Sequence, residues 1–368
     1  VELNVASAKS VIDNVYEALV AYEGDSLEVS PRLAESWDVS DDGLEYRFSL
    51  RRDVRFHDGS RFDAQAVLAT IERVQSLGAT PASLIAGLES ASALDDYTVE
   101  FRLAAPNAFF VDQLAWIYIV SPEAVAQHAG EDSGKTWFAR NAVGTGPYRL
   151  VRWDAGQLLL LERFDAYWRG WQNDHVGTVA LRVIIESGTQ RLLLERGDLD
   201  IAQVVSIDSV PALRQNPRIR VLEDPGLSQF QLMLNTVNPP LDDVRVRKAV
   251  EYAFDYEGHN EGAMRGFVER ATTPFPAEMV GGLPGVAVYD YDPDLARSLL
   301  ADAGYADGDI TLEYRYISGF TEQRAAGEIL QASLAPLGIK VEISEAPWPT
   351  LLQLLQDPST AYDVWAFY

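Results

Sequence analysis

The 368-residue sequence contains no cysteine, three methionines, four histidines and only four lysines, Lys9, Lys135, Lys248 and Lys340. Without cysteine there are no disulfides, no thiolate nucleophile and no Cys-ligated zinc. His57, His128, His175 and His259 are scattered, and none stands at the i, i+4 spacing of a helical metal pair. No Gly-x-Ser-x-Gly elbow is present, and no Ser/His/Asp set stands out. No stretch approaches the run of about 18 apolar residues that a membrane-spanning helix needs. Positive charge is scarce as well. The formal net charge of −25 repels phosphate backbones and argues against nucleic-acid binding. It says little about a small ligand, because salt screens surface charge within about 8 Å and a pocket's own residues decide there. Catalysis, a metal site and a cofactor are therefore not expected.

Apolar material, by contrast, is ample. The chain is 47% hydrophobic and 10% aromatic, enough surface to bury against chain entropy. At this length about two or three domains are expected. The strongest local signal runs from Ala34 to Val74. Trp37 and Val39 alternate with polar neighbours, Asp41-Asp42-Gly43 supplies a hairpin turn, and Tyr46, Phe48 and Leu50 then face one way. His57-Asp58-Gly59-Ser60 is a second turn. Asp63 caps a helix whose apolar side is Val67, Ile71 and Val74.

Elsewhere, a helix is expected from near Ser10, with Asp13 completing an approximate capping box and Val11, Val15 and Leu19 forming the buried stripe. A self-contained unit spans Ala34 to Ala142. Within it, Asp95-Asp96-Tyr97 turns into a strand at Val99–Leu103, and Ser121-Pro122-Glu123 starts a helix. The glycines of Val143-Gly144-Thr145-Gly146-Pro147 do not make a phosphate cradle: the Gly-Lys-Ser/Thr end is missing, and Pro147 leads into a strand. Val179–Ile185 reads as a buried strand, Thr189 as the cap of a helix stopping at Gly197, and Asp198–Ala202 as a strand start. Gln229–Asn235 is a strand entering the stiff Pro239-Pro240 link, and acids from Asp242 open the next helix. Asp294–Asp302 reads as a helix. Strand Ile310–Tyr316, helix Glu322–Leu337 and strand Ile339–Ile343 follow with short links, which implies a right-handed parallel βαβ unit. Tyr362–Tyr368 opens another strand.

The order Ala34…Trp37…Gly43-Leu44-Glu45-Tyr46-Arg47-Phe48…Leu50-Arg51…Val54…Phe56-His57-Asp58-Gly59 resembles the signature of the family-5 extracytoplasmic solute-binding proteins. Those are the receptors of oligopeptide, dipeptide and nickel ABC importers. Further markers agree in order. They are Tyr16-Glu17-Ala18-Leu19, Gly144-Thr145-Gly146-Pro147-Tyr148 followed by Asp165-Ala166-Tyr167-Trp168 (with Asp165 where asparagine is usual), Gly197–Ala202, and Leu234-Asn235-Thr236…Asp242-Asp243-Val244-Arg245.

The resemblance implies an α/β, two-lobed periplasmic-binding-protein fold (type II, cluster C-like) with an extra α+β domain in the first lobe. Residues 1–35 and 142–236 would form lobe I, 36–141 the inserted domain and 237–368 lobe II, C-terminally incomplete relative to the family. It implies a receptor that delivers peptides or a similar small solute to a membrane permease by cleft closure. Closing a mostly open receptor takes about 5 kcal/mol of differential binding. A non-peptide solute (opine, oligosaccharide, metal chelate), a sensory or regulatory module of the same fold, and a hydrolase with an unrecognised carboxylate pair are the alternatives. Ligand contacts are expected at Tyr16, Glu17, Asn235, Trp348, Trp365 and Phe367, and the hinge at Gly144, Gly146, Asn235 and Thr236. The competing reading makes Tyr16 a packed aromatic and Glu17 a solvated helix residue. Arg315 meets either an acidic ligand group or a surface carboxylate. The expected location is periplasmic or extracellular, with the export signal removed and a lipid anchor in the precursor as one option. The expected oligomeric state is monomer.

Overall fold

A computed structural model describes residues 5–24, 26–78, 80–172, 175–203, 205–223, 226, 228–273, 275–276, 279, 289–357, 359 and 361–367. The chain divides into two compact units, Val1–Val183 and Ile184–Tyr368.

In the first unit the expected hairpin forms. Strands β1 (Val20–Tyr22) and β2 (Val29–Pro31) pair with each other, and β3 (Ala34–Val39), β4 (Glu45–Leu50), β5 (Leu88–Asp95) and β6 (Thr98–Leu103) build a sheet in the order β3-β4-β6-β5. All of its pairings are antiparallel. Gly43 turns the hairpin at φ +68°, and Asp42 accepts from Ser40 Oγ and the Leu44 N–H. Tyr46, Phe48 and Leu50 then point into a core with Val99, Phe101 and Leu103 from β6. Helix α2 (Ala64–Leu77) closes that core with Val67 and Ile71. Its ends are specified locally: Asp63 accepts from the Gln65 and Ala66 N–H groups, and Gly78 takes the left-handed cap at φ +57°. Short helices α3 (Thr80–Leu84), α4 (Phe110–Leu114), α5 (Pro122–His128) and α6 (Lys135–Phe138) follow, α5 capped by Ser121 as expected. A second sheet is the meander β7 (Tyr148–Asp154), β8 (Leu158–Arg163) and β9 (Thr178–Arg182).

Several expectations are corrected here. Helix α1 (Val5–Val15) begins before Ser10, so Ser10 lies inside it, and Asp13 pairs with Lys9 one turn back at 2.8 Å instead of completing a capping box. Leu19 is buried but lies past the helix end. The strand read at Val179–Ile185 stops at Arg182. Its partner β8 begins at Leu158, so the ladder runs out; Val183 donates one last bond to Gln157, and Ile185 is 83% exposed.

The second unit holds a four-stranded mixed sheet. Strands β10 (Gln231–Leu234), β11 (Thr311–Ile317), β12 (Lys340–Ala346) and β13 (Val364–Phe367) lie in the order β10-β13-β11-β12. β11 and β12 are parallel, with α11 (Thr321–Leu334) between them in sequence, as the βαβ reading requires. β13 slots between β10 (antiparallel) and β11 (parallel); Tyr368, the last residue read into this strand, lies outside the described residues. The core joins Leu312, Tyr314 and Val341 of the sheet to Leu330 and Leu334 of α11. It also takes Val246 and Val250 of α9 (Val244–Ala253) and Leu300 of α10 (Pro293–Ala303). Asp243 caps α9 and Asp292 caps α10, while Gly304 ends α10 at φ +91°.

The remaining helices are α7 (Ser187–Arg196), α8 (Val210–Arg214) and α12 (Trp348–Leu355). Thr189 lies inside α7, whose flanking residue Glu186 makes no side-chain cap, although Gly197 does end the helix. Asp198–Ala202 forms no strand: the segment leaves the helix cap as irregular chain with Ile201 78% exposed.

Candidate functional site

The expected site residues fall into two sets, one in each unit. In the first, the chain leaves α1 at Val15, and Glu17 turns inward. Only 3% of Glu17 is exposed. Its Oε1 takes the Arg32 guanidinium at 2.8 Å and the Tyr167 hydroxyl at 3.0 Å. Its Oε2 accepts from Thr145 Oγ1 and Trp168 Nε1, both at 2.9 Å. A carboxylate offers about four acceptor positions, and here all are taken by this chain's own donors. Arg32 continues to Glu23 at 3.0 Å, Arg169 meets Glu23 at 2.8 Å, and Arg51 stacks on Trp168 at 4.4 Å. The hydrogen bond from Arg169, with the two guanidinium charges, holds the Glu23 carboxyl below its usual range. Burial raises the Tyr167 hydroxyl, and the Glu17 charge raises it further.

Thus two of the sequence markers meet on one buried carboxylate, joined by Arg32, which belongs to neither. Tyr16 beside it is half-buried, and burial pushes its phenol up to about 12. A solvated Glu17 on a helix is ruled out, because the residue is buried and lies beyond the helix end.

Gly144 and Gly146 owe their identity to close approach; neither has a positive φ. A Cβ at Gly144 would stand 2.1 Å from the Val15 carbonyl oxygen, and one at Gly146 would stand 2.6 Å from that of Asn14. Gly146 N–H donates to Val15 O at 3.0 Å. His57 clasps the same loop. Its backbone N–H donates to Gly144 O at 2.9 Å, its Nε2 sits 2.9 Å from Gly146 O, and Gly144 N–H points to its Nδ1 at 3.4 Å. These partners select the neutral tautomer with the proton on Nε2. Burial lowers the His57 pKa against the opposing pull of the Gly146 carbonyl. Arg32, His57, Thr145, Tyr167 and Trp168 were not singled out from the sequence as candidates; the markers carried all but Arg32, and only the fold shows that Arg32, Thr145, Tyr167 and Trp168 converge on Glu17 while His57 holds the glycine loop.

In the second unit, Asn235 is 4% exposed and acts as a clip. Its N–H donates to Asp363 O at 2.8 Å, its Nδ2 to Ala361 O at 3.2 Å, and its Oδ1 accepts from the Val237 N–H at 3.1 Å. Thr236 next to it is exposed. The candidate aromatics come together: Trp365 and Phe367 alternate on β13, and the Trp348 ring at the start of α12 lies 6.0 Å from that of Phe367. Trp365 is half-buried, and Phe367 is 41% exposed. A cavity of about 490 Å³ in this unit is lined by Tyr316, Arg324, Glu328 and Glu345 among others and contains none of the candidates. Among the described residues, no group of three or more His, Cys, Asp or Glu side chains converges as a metal site.

The fold class follows from comparison with solved structures. The ABC transporter-associated periplasmic binding protein DppA of Helicobacter pylori, determined with the peptide STSA, superposes with a TM-score of 0.88 at 28% identity, over 99% of this chain and 74% of that one. The architecture is that of the type II periplasmic binding proteins. The family model for bacterial extracellular solute-binding proteins, family 5, matches residues 28–367. The chain belongs to that family. Among curated relatives, the glutathione-binding protein GsiB of Pectobacterium atrosepticum is 28% identical over 93% of this chain. The probable D,D-dipeptide-binding periplasmic protein DdpA of Escherichia coli is 32% identical over 90% of it. The chain spans 66% and 64% of the lengths of those two relatives.

Proposed function

We propose that the chain is the extracytoplasmic receptor of an ABC importer, taking up peptides or a similar small solute and presenting it to a membrane permease without catalysing a reaction. The observation that carries this reading is the family match over nearly the whole chain, joined to the likeness to a protein solved with a bound peptide. In this reading the receptor works as a monomer and a ligand shifts an open–closed equilibrium by the contacts it adds in the closed form. The hinge is then at Gly144, Gly146, Asn235 and Thr236, the last two being a buried clip beside an exposed residue. The division into lobe I (1–35 and 142–236), inserted domain (36–141) and lobe II (237–368) is proposed on the same footing, as is anchoring by a lipid in the precursor.

Tyr16, Trp348, Trp365 and Phe367 serve as ligand contacts. Glu17 and Asn235 act one step back, by fixing the segments that carry those aromatics. The test is isothermal titration of the chain against short peptides, with neutral disaccharides and a metal chelate in parallel. Saturable peptide binding supports the reading. Binding of a disaccharide or chelate alone keeps the receptor and changes its cargo, and heat from none of them counts against a receptor.

A further inference from the structure

β12 is the outermost strand of the second unit's sheet, with β11 on one side and no strand on the other among the described residues. Sheets commonly blunt such an edge with proline, a bulge, charge or a cover, because its unpaired N–H and C=O groups are a template for another strand. β12 runs in unbroken register from Lys340 to Ala346, without proline or bulge. The bonds at its two ends fix which residues face outward. Lys340 N–H donates to Ile310 O, and Ala346 O accepts from the Ser318 N–H, both at 3.0 Å. Alternate residues of a parallel strand bond to its neighbour. Lys340, Glu342, Ser344 and Ala346 therefore bond to β11, while Val341, Ile343 and Glu345 turn their backbone groups away from it. Gln331 of α11 covers one of these, its Nε2 donating to Val341 O at 2.7 Å. The N–H and C=O of Ile343 and of Glu345 make no hydrogen bond among the described residues.

The cavity of about 490 Å³ opens along this same edge. Arg324, Glu328 and Gln331 of α11 form one wall, and Tyr316 and the run from Val341 to Glu345 form the other. Side chains alternate along a strand, so Val341, Ile343 and Glu345 share the face that α11 covers. Val341 is buried, Ile343 is half-buried and Glu345 is exposed. The charges here do not balance. Arg324 Nε is held by Glu328 at 2.9 Å, and Lys340 is paired with Glu342. Glu345 feels the charge of Arg324 but forms no ion pair among the described residues, and accepts only the Tyr316 hydroxyl at 3.2 Å.

We propose that the β12 edge, with the groove between it and α11, takes up an extended segment of a partner protein as an added strand, setting an apolar residue against Ile343 and a lysine or arginine two residues further along against Glu345. The spacing follows from the pleat, since strand residues two apart share a face. A net charge of −25 draws a basic segment to this surface. A second copy of the same edge fits less well: laid antiparallel about Ile343, it sets Glu345 against Val341. The groove contains none of Trp348, Trp365 and Phe367, and the proposal does not rest on the receptor reading.

The test titrates the wild-type chain, Ile343→Pro and Glu345→Lys with the blocked peptide acetyl-Thr-Val-Thr-Lys-Thr-amide and with the same peptide carrying glutamate in place of lysine. Hydrogen exchange at the Ile343 and Glu345 amides is followed in parallel, and sedimentation reads the oligomeric state. Thermal melts confirm that each variant is folded; an edge strand is where a sheet tolerates proline. The wild type is expected to bind the lysine peptide with slowed exchange at both amides. Ile343→Pro removes an edge donor and should weaken that binding about tenfold or more. Glu345→Lys should weaken it similarly and prefer the glutamate peptide instead. Equal binding by all three proteins, with both amides unprotected, places the peptide elsewhere and overturns the assignment. A dimer that Ile343→Pro dissociates gives the edge to a second copy and overturns it too, as does no binding at millimolar peptide.

Discussion

Glu17 shows how a residue's role depends on what the rest of the chain brings to it. In the sequence it stands between Tyr16 and Ala18 and is equally compatible with a ligand contact or a solvated position. In the structure Arg32, Thr145, Tyr167 and Trp168 converge on it from segments up to 151 residues away, and nothing local announces that. Glu17→Ala takes the buried counter-charge from half-buried Arg32, leaving it only the exposed Glu23, and takes the acceptor from Thr145, Tyr167 and Trp168. The expected loss is about 3–5 kcal/mol in urea unfolding, and a loss within about 0.5 kcal/mol, typical of a surface change, would refute the buried-carboxylate account.

His57 makes a second prediction at this scale. Its folded pKa lies below the unfolded value of about 6.5, so below that pH the unfolded chain binds more protons. Stability is untouched above that value, falls as pH drops through it, and levels off beneath the folded pKa. Protonating Nδ1 also expels the Gly144 N–H from its acceptor. His57→Asn should therefore lose less stability than wild type between about pH 7.5 and 5.5 in parallel thermal melts; identical slopes would exclude the effect.

Among the elements, those whose ends are written in adjacent residues were legible. The Asp42-Gly43 turn, the Asp63 and Ser121 caps and the Gly197 stop all act within a few residues of themselves. Asp63→Ala should cost about 1 kcal/mol in a denaturant melt. The βαβ unit was legible too, since short links leave the chain few choices. Illegible were features fixed at long range. The end of β9 is set by where β8 begins, and the place of β13 between β10 and β11 depends on strands far back in the chain. β5 is rich in serine and alanine and has no clean alternation to reveal it. Gly327 is also a long-range feature. Nothing around it demands glycine until the Tyr314 ring is laid against α11, where an added Cβ would sit 2.3 Å from Cε1. Gly327→Ala gains helix propensity but overpacks this contact, and a net loss of about 1–3 kcal/mol is expected; a stabilised variant would mean the ring yields freely.

For the whole molecule, charge and ligand set the measurable behaviour. A net charge of −25 destabilises the compact state by self-repulsion. Salt up to about 0.15 M screens that repulsion, so the melting temperature should rise with salt, and a flat or falling profile would show the surface ion pairs to dominate. The family itself was legible because its markers are spread along the entire chain and each stands at a local turn or helix start. The cargo was not, since it depends on which side chains the two units present and not on any one stretch. The central claim, that this chain captures a small solute, is tested most directly by native mass spectrometry of the purified protein, followed by denaturing release of whatever is bound. The account predicts a mass increment that disappears on denaturation and resolves into peptides or a similar small solute. A bare mass that stays bare after incubation with peptide, sugar and chelate mixtures would contradict it.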